Sequence, residues 1–264
     1  MKIVGIMLLR NEDRFLEQCI HNIIDFCDTL ILLNHNSTDN TAAILNQFTK
    51  NPKCLVKIIS HPRESQKFLE PYYNTPTWIF GVDGDEIYDP EGLLRFRKQV
   101  LKGDYSTYWM LLSNVFHLDS LNLQNKQATG YLSPPSRSIT KFYNFATIQG
   151  WKGNIPERLH GGEITFHDGF DASKKYHLEN IKTWEEADLR CLHTCFIPRS
   201  SLDKDEQSPI ITRKNIMETY AASPRDRIKN WITKFTGKQS SQWKFERYQR
   251  GERIEKDVSA FFPA

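Results

Sequence analysis

Residues 78–87 read WIFGVDGDEI. The run from Trp78 to Val82 has the length and composition of a buried strand, and it passes without a spacer into Asp83, Gly84, Asp85 and Glu86. The two aspartates are two apart, so in extended chain their side chains leave on the same side. Paired hard oxygen ligands of this kind suit Mg²⁺ or Mn²⁺, which bind through a few carboxylates together with phosphate and water oxygens. Gly84 between them allows another group to come close to the backbone. An EF-hand loop does not account for the triplet. Counted from Asp83, its fifth and sixth positions would be Ile87 and Tyr88, where an oxygen ligand and a glycine are needed. The remaining alternative is a solvated acidic turn ahead of a helix that starts at Pro90 with Asp89 as its N-cap.

On either side of this stretch the first hundred residues alternate strand and helix. KIVGIMLL (2–9) and TLILLN (29–34) read as strands, as does CLVKIIS (54–60). EDRFLEQCIHNIIDFC (12–27) carries a helical stripe of Phe15, Leu16, Cys19, Ile20, Ile23, Ile24 and Cys27. TAAILNQF (41–48), capped from Ser37, Thr38 or Asp39, and PEGLLRFRKQVL (90–101) complete a β-α-β-α-β order. Such an order calls for a parallel sheet with helices on its faces, whose ligands bind beyond the carboxyl ends of the strands. Three strand ends are polar: Arg10-Asn11-Glu12, Asn34-His35-Asn36 and Asp83-Gly84-Asp85-Glu86. They are expected to converge on one crevice.

The second half is less regular. YSTYWMLLSNVFHL (105–118), SITKFYN (138–144), GEITFHD (162–168) and LRCLHTCFI (189–197) read as strands, and residues 119–136 as a loop or flap. The end reads as helices over 210–222, 226–235 and 240–254. The expected division is 1–103 and 104–198 as two halves of one domain, followed by a C-terminal helical extension over 199–264.

Bulk composition narrows the classes. With 39% hydrophobic and 25% charged residues in 264, the chain is expected to fold, and a net charge of +3 does not point to nucleic acid. Its five cysteines are odd in number and form no CxxC, which suits a reduced, cytoplasmic chain. Cys191 and Cys195 flank His193 but lack the second half of a zinc motif. The opening MKIVGIMLLRNE reads as a strand rather than a signal peptide.

Taken together, IMLLRNEDRFLEQCI, LILLNHNSTDNT and WIFGVDGDEI resemble, in order and spacing, the three N-terminal blocks of family 2 glycosyltransferases. The resemblance covers roughly residues 2 to 100. It implies a GT-A type, Rossmann-like mixed sheet, mostly parallel and flanked by helices. It also implies an inverting, hexosyltransferase-like enzyme dependent on Mn²⁺ or Mg²⁺ that moves a sugar from a nucleotide-sugar donor, normally a uridine one, to a saccharide or lipid-linked saccharide, as in surface polysaccharide synthesis. Arg10, Asn11, Glu12, Asn34, Asn36, Asp83, Gly84 and Arg199 would then lie along the donor. Asp83 and Asp85 would hold the metal, and His193 would complete that site. Asn34 and His35 stand where the family usually has an acid near the base. The sequon at Asn36 falls inside the donor loop and reads as a chance match. GNIPERLHG (153–161) matches a segment in which related chains carry a His-Glu pair; Glu157 takes the glutamate's place and would act as the base. Glu86 and Trp151 are candidate acceptor contacts, with core packing as the alternative for the tryptophan. The helix over 225–235 has an apolar face of Ile228, Trp231, Ile232 and Phe235 edged by basic residues. That face would either dock on the domain or touch an anionic membrane from the cytoplasmic side. A nucleotidyltransferase of similar fold, or a non-catalytic nucleotide- or sugar-binding protein, are the competing functions.

Overall fold

The computed structural model of the chain describes residues 1–152, 162–203 and 242–263. Its first half runs β1 (Lys2–Leu9), α1 (Leu16–Ile24), β2 (Thr29–Asn34), α2 (Thr41–Gln47), β3 (Cys54–Ile58), β4 (Thr77–Val82), β5 (Glu86–Tyr88) and α3 (Pro90–Lys102). The second continues with β6 (Met110–Leu112), β7 (Asn114–Asn122), β8 (Gln127–Leu132), β9 (Lys141–Asn144), β10 (Ile148–Lys152), β11 (Glu163–Phe166), β12 (Lys175–His177) and β13 (Arg190–His193). Near the end come α4 (Gln242–Tyr248) and β14 (Ile254–Asp257).

Among the described residues, seven strands form a sheet in the order β12-β6-β9-β4-β1-β2-β3. Strands β3, β2, β1 and β4 are mutually parallel, while β9 runs against both β4 and β6. Its parallel part is the sheet that the first hundred residues call for, and the whole is the mixed, mostly parallel α/β sheet that the resemblance implies. The apolar runs of β1, β2 and β4 are continuous because both faces of the sheet are covered. Along β1, Ile3, Met7 and Leu9 enter one buried cluster and Val4, Ile6 and Leu8 the other. The first cluster centres on aromatic packing of Phe80 against Phe26, Tyr88 and Phe142, with ring centroids 5.2, 4.8 and 5.5 Å away. Helix α3 is fixed at both ends. Asp89 accepts a hydrogen bond from the Gly92 N–H, and Gly103, at φ 93°, closes its C-terminus.

A five-stranded sheet, β14-β8-β7-β13-β5, packs beside the first. Its composition corrects two expectations. Residues 119–136 are not a flap: β7 extends to Asn122 and pairs with β8 as a hairpin. Polar residues such as Ser120, Asn122 and Gln127 lie on its exposed part, which removes the hydrophobic alternation that would have marked it. In the described part of the helix expected over 240–254, Gln242–Tyr248 is helical, whereas Ile254–Asp257 is a strand paired with Gln127–Gly130. The segments 210–222 and 226–235, including the basic amphipathic face, lie outside the described residues. No helix among the described residues is long and apolar enough to cross a membrane.

Five registers position the site. Leu9 pairs with Asn34, so β1 and β2 end level, and Met7 pairs with Val82, so β4 ends two residues earlier and Asp83–Glu86 follow beside the end of β1. Gly81 pairs with Lys141, and His193 pairs with Glu86 on one side and His117 on the other.

Candidate active site

The loops after β1 and β2 hold each other in place. Asn11, at φ 54°, donates its backbone N–H to Ser37 Oγ at 3.1 Å, and its side-chain oxygen accepts the Thr38 N–H at 2.7 Å. Asn34 Oδ1 accepts the Ser37 N–H at 3.0 Å, and the Glu12 N–H donates to Thr41 Oγ1 at 3.0 Å. Asn36 also has positive φ, at 49°. His35 is fully buried, its Nε2 lying 3.2 Å from the Ser60 carbonyl oxygen.

These loops place Glu12 against the acidic block. Its Oε2 accepts the Gly84 N–H at 3.2 Å, and a Cβ added at residue 84 would come within 2.4 Å of the same oxygen. The close approach that Gly84 permits is therefore made by Glu12. Asp83, Asp85, Glu86 and Glu12 are all buried. Arg199 Nη1 donates to Glu12 Oε1 at 3.1 Å and to Asp85 Oδ2 at 2.9 Å. Lys141 Nζ lies 2.9 Å from Asp83 Oδ2 and 3.0 Å from Glu86 Oε1. Tyr88 donates its hydroxyl to Glu86 Oε2 at 3.3 Å. Burial pushes the Glu86 carboxyl up to about 8; the Lys141 charge pulls it back, while Asp83 and Asp85 push it further.

A pair of imidazoles completes the cluster, and their protonation can be read from their partners. His117 Nε2 is 2.9 Å from the Arg137 carbonyl oxygen, which can only accept, so this nitrogen carries the proton. Burial keeps both rings neutral: it holds His117 well below the ordinary histidine range and brings His193 down to about 4 against the opposing pull of Asp85 and Asp83. His117 Nδ1 is then a lone pair, and it accepts the Nδ1–H of His193 at 2.8 Å. His193 is left with a lone pair on Nε2, which lies 3.8 Å from Asp85 Oδ2. Asp85 Oδ2 also accepts from Arg199 Nη1, and a divalent cation between it and His193 Nε2 would use the second lone pair of the one and the free lone pair of the other.

Among the described residues, Lys141 and Arg199 make ion pairs with all four carboxylates. The donor set of carboxylate oxygen and imidazole nitrogen suits Mn²⁺ or Mg²⁺. His117, His193 and Cys195 also place their ligand atoms within 4.8 Å of one another, but His117 Nδ1 and His193 Nδ1 are already joined by their hydrogen bond. A cavity of about 240 Å³ adjoins the cluster, lined by Asp83, Glu86, Lys141, His193, Tyr143 and Tyr248, among others.

Of the residues singled out in the sequence, Glu12, Asp83, Gly84, Asp85, Glu86, His193 and Arg199 come together here. Asn11, Asn34 and Asn36 form the adjoining loops, and Arg10 precedes them. Trp151 sits apart, buried, with its ring edge-on to Tyr143 at 5.4 Å. Glu157 lies outside the described residues. Lys141, His117 and Tyr248, which stacks on His117 at 4.6 Å, have no motif to mark them. A charged residue inside the otherwise β-forming SITKFYN was the only available signal.

No curated protein matches the sequence. The family model described as glycosyl transferase family 2 matches residues 6–173, more than half of the chain. Among solved structures, TarS of S. aureus is similar at 15% identity and a TM-score of 0.39, over 55% of this chain and 29% of that one. Its 1–349 form in complex with UDP-GlcNAc gives 14% and 0.36, over 55% and 46%. The glucosyl-3-phosphoglycerate synthase of Mycobacterium tuberculosis, in complex with Mn²⁺ and UDP-glucose, gives 17% and 0.29, over 44% and 43%. In each case the match spans less than half of the other chain.

Proposed function

This chain belongs to glycosyl transferase family 2, and on that premise we propose that it moves a sugar from a nucleotide-diphosphate donor to a hydroxyl of a saccharide or lipid-linked saccharide, with inversion at the anomeric carbon. The observation that carries the reading is the gathering of the buried carboxylates Glu12, Asp83, Asp85 and Glu86 with His193, whose Nε2 lies 3.8 Å from Asp85 Oδ2. Mn²⁺ or Mg²⁺ held by Asp85 and His193, beside Asp83, would neutralise charge developing on the departing diphosphate. Arg199 and Lys141 add fixed positive charge beside the same oxygens. Uridine is the proposed base: the Asn34 amide oxygen is taken by Ser37, while its Nδ2 hydrogens have no acceptor among the described residues and can meet a pyrimidine carbonyl. The cavity of about 240 Å³ would receive the acceptor. Glu157 is the proposed base, taking the hydroxyl proton as that oxygen attacks opposite the leaving group. All five cysteines are free, which supports a reducing, cytoplasmic setting.

The direct test is nucleotide release from UDP-glucose and UDP-GlcNAc, with Mn²⁺, with Mg²⁺ and with chelator. Release that needs a divalent ion is expected. Absence of both release and any thermal shift with nucleoside diphosphates would remove the reading.

His117 provides a finer check. It acts through His193, fixing which ring nitrogen keeps its lone pair. His117→Ala should weaken Mn²⁺ binding about tenfold to a hundredfold, the range for partners that orient a metal ligand. Titration of free Mn²⁺ by electron paramagnetic resonance reads this without any turnover. Unchanged affinity would show that His193 does not bind the ion through Nε2.

A further inference from the structure

Helix α4 and the turn after it return the chain to the reacting centre, where they lie on residues 133–137. The Arg137 N–H donates to the Arg247 carbonyl at 3.0 Å. The buried Ser136 hydroxyl donates to the Tyr248 carbonyl at 2.9 Å and accepts the Arg250 N–H at 3.0 Å. Phe245 stacks on Phe196 with ring centroids 5.3 Å apart, and β14 carries the chain on into the five-stranded sheet. Gly251, at φ 83°, makes the turn between α4 and β14, and a Cβ there would come within 2.7 Å of Pro135.

These contacts deliver one ring to the imidazole pair. Tyr248 lies flat on His117, with centroids 4.6 Å and planes 15° apart, and edge-on to His193, at 5.3 Å and 85°. The two imidazoles are 5.0 Å apart at 73°. Each of the three rings therefore packs on the other two. Stacked and edge-to-face arrangements are the preferred ones, so turning either imidazole would lose ring contacts as well as a hydrogen bond. The Arg137 peptide joins the segment to the pair a second time. Its N–H is held by Arg247, and its carbonyl accepts from His117 Nε2 at 2.9 Å. The segment thus fixes both a face of His117 and the carbonyl that decides which of its nitrogens carries the proton. Lys244, one turn before Tyr248, is close enough for its charge to act against protonation of His193. Arg247 and Tyr248 also line the cavity beside the acidic block. Tyr248 stands well beyond residues 6–173, which the family model matches.

We propose that Tyr248 is a positioning residue for the imidazole pair: its ring holds His117 and His193 in the one pairing in which His193 Nε2 keeps a lone pair toward Asp85. The C-terminal segment is thereby part of the reacting centre. The consequence for metal binding, though not the positioning itself, rests on the glycosyl-transfer reading.

The test is long-range ¹H–¹⁵N NMR of the assigned histidine rings in the full chain, without metal, at about pH 7.5, above the ordinary histidine range. Titration of Mn²⁺ by electron paramagnetic resonance follows. In the unaltered chain His117 should show one fixed tautomer, protonated on Nε2, and His193 the opposite one, protonated on Nδ1. Tyr248→Phe keeps the ring and should preserve both tautomers, with Mn²⁺ affinity within about twofold. Tyr248→Leu, at a half-buried position, removes the ring. It should give averaged tautomers on both histidines and weaken Mn²⁺ about threefold to tenfold, the scale of an aromatic pair. A merely structural role would lower the melting temperature and leave the tautomers where they were. Three results would each overturn the proposal: tautomers unchanged in Tyr248→Leu, Tyr248→Phe altered as much as Tyr248→Leu, or His193 protonated on Nε2 in the unaltered chain. Failure of the unaltered chain to bind Mn²⁺, with tautomers that respond to the variants as expected, would instead count against the transfer reading and leave the positioning role standing.

Discussion

Asp85→Asn is expected to abolish sugar transfer, by about a thousandfold or more, while the protein stays folded. Several features of Asp85 lead to this. It is the carboxylate that faces the lone pair of His193, at 3.8 Å, and it is also bound by Arg199 at 2.9 Å. An asparagine keeps the shape, and its amide oxygen can still accept from Arg199, whose other contact to Glu12 at 3.1 Å is untouched. What disappears is one negative charge and one anionic ligand. Loss of electrostatic stabilisation at the point where charge develops costs about two to three orders of magnitude for a single neutral donor. A ligand to the ion that performs this task should cost at least as much. Mn²⁺ affinity should fall further than for His117→Ala, since Asp85 touches the ion and His117 does not. Full transfer activity in Asp85→Asn, still dependent on the ion, would remove Asp85 from the metal site.

The parts of this site that could be read from the sequence are those that lie at strand ends. The parallel order of β1, β2 and β4, whose ends fall within two residues of one another, brings Arg10–Glu12, Asn34–Asn36 and Asp83–Glu86 together. The role of Gly84 could be stated as a close approach, although the group approaching it, Glu12, could not be named. Lys141 and His117 are of another kind. Lys141 is aligned with the acidic block only because β9 runs antiparallel to β4 with Gly81 opposite it. His117 meets His193 only through the parallel register of β7 and β13. A register across strands far apart in sequence leaves no local trace, and a lysine or histidine within a strand reads locally as a solvent-facing residue. For Trp151, a candidate acceptor contact with core packing as the alternative, the structure has the alternative: the ring is buried against Tyr143, again from β9.

The same register makes Lys141→Met the second large effect, and here the first readout is stability. Lys141 is 7% exposed and lies within 3.0 Å of both Asp83 and Glu86. Methionine keeps most of the stem and removes the positive charge that lies between two buried carboxylates. Breaking such an arrangement by removing one partner costs about 3 kcal/mol or more. The pH dependence identifies Glu86 as a main source of that cost. Its carboxyl is raised from 4.5 to about 8 in the folded protein, so the folded state holds the extra proton between those values. Stability tied to this proton is fully present below pH 4.5 and is lost as the pH rises toward 8. Without Lys141, whose charge lowers the Glu86 value, the loss should run on to higher pH. His193 works in the opposite sense: it is lowered from 6.5 to about 4, so its contribution is lost as the pH falls through that window and is constant above it. Urea unfolding between pH 6.5 and 8.5, with chelator present, therefore isolates Glu86. The deficit of Lys141→Met should grow across this range, and adding Glu86→Gln should recover much of it, because an amide needs no counter-charge. A deficit that is independent of pH and not relieved in the double variant would show that Lys141 serves Asp83 alone.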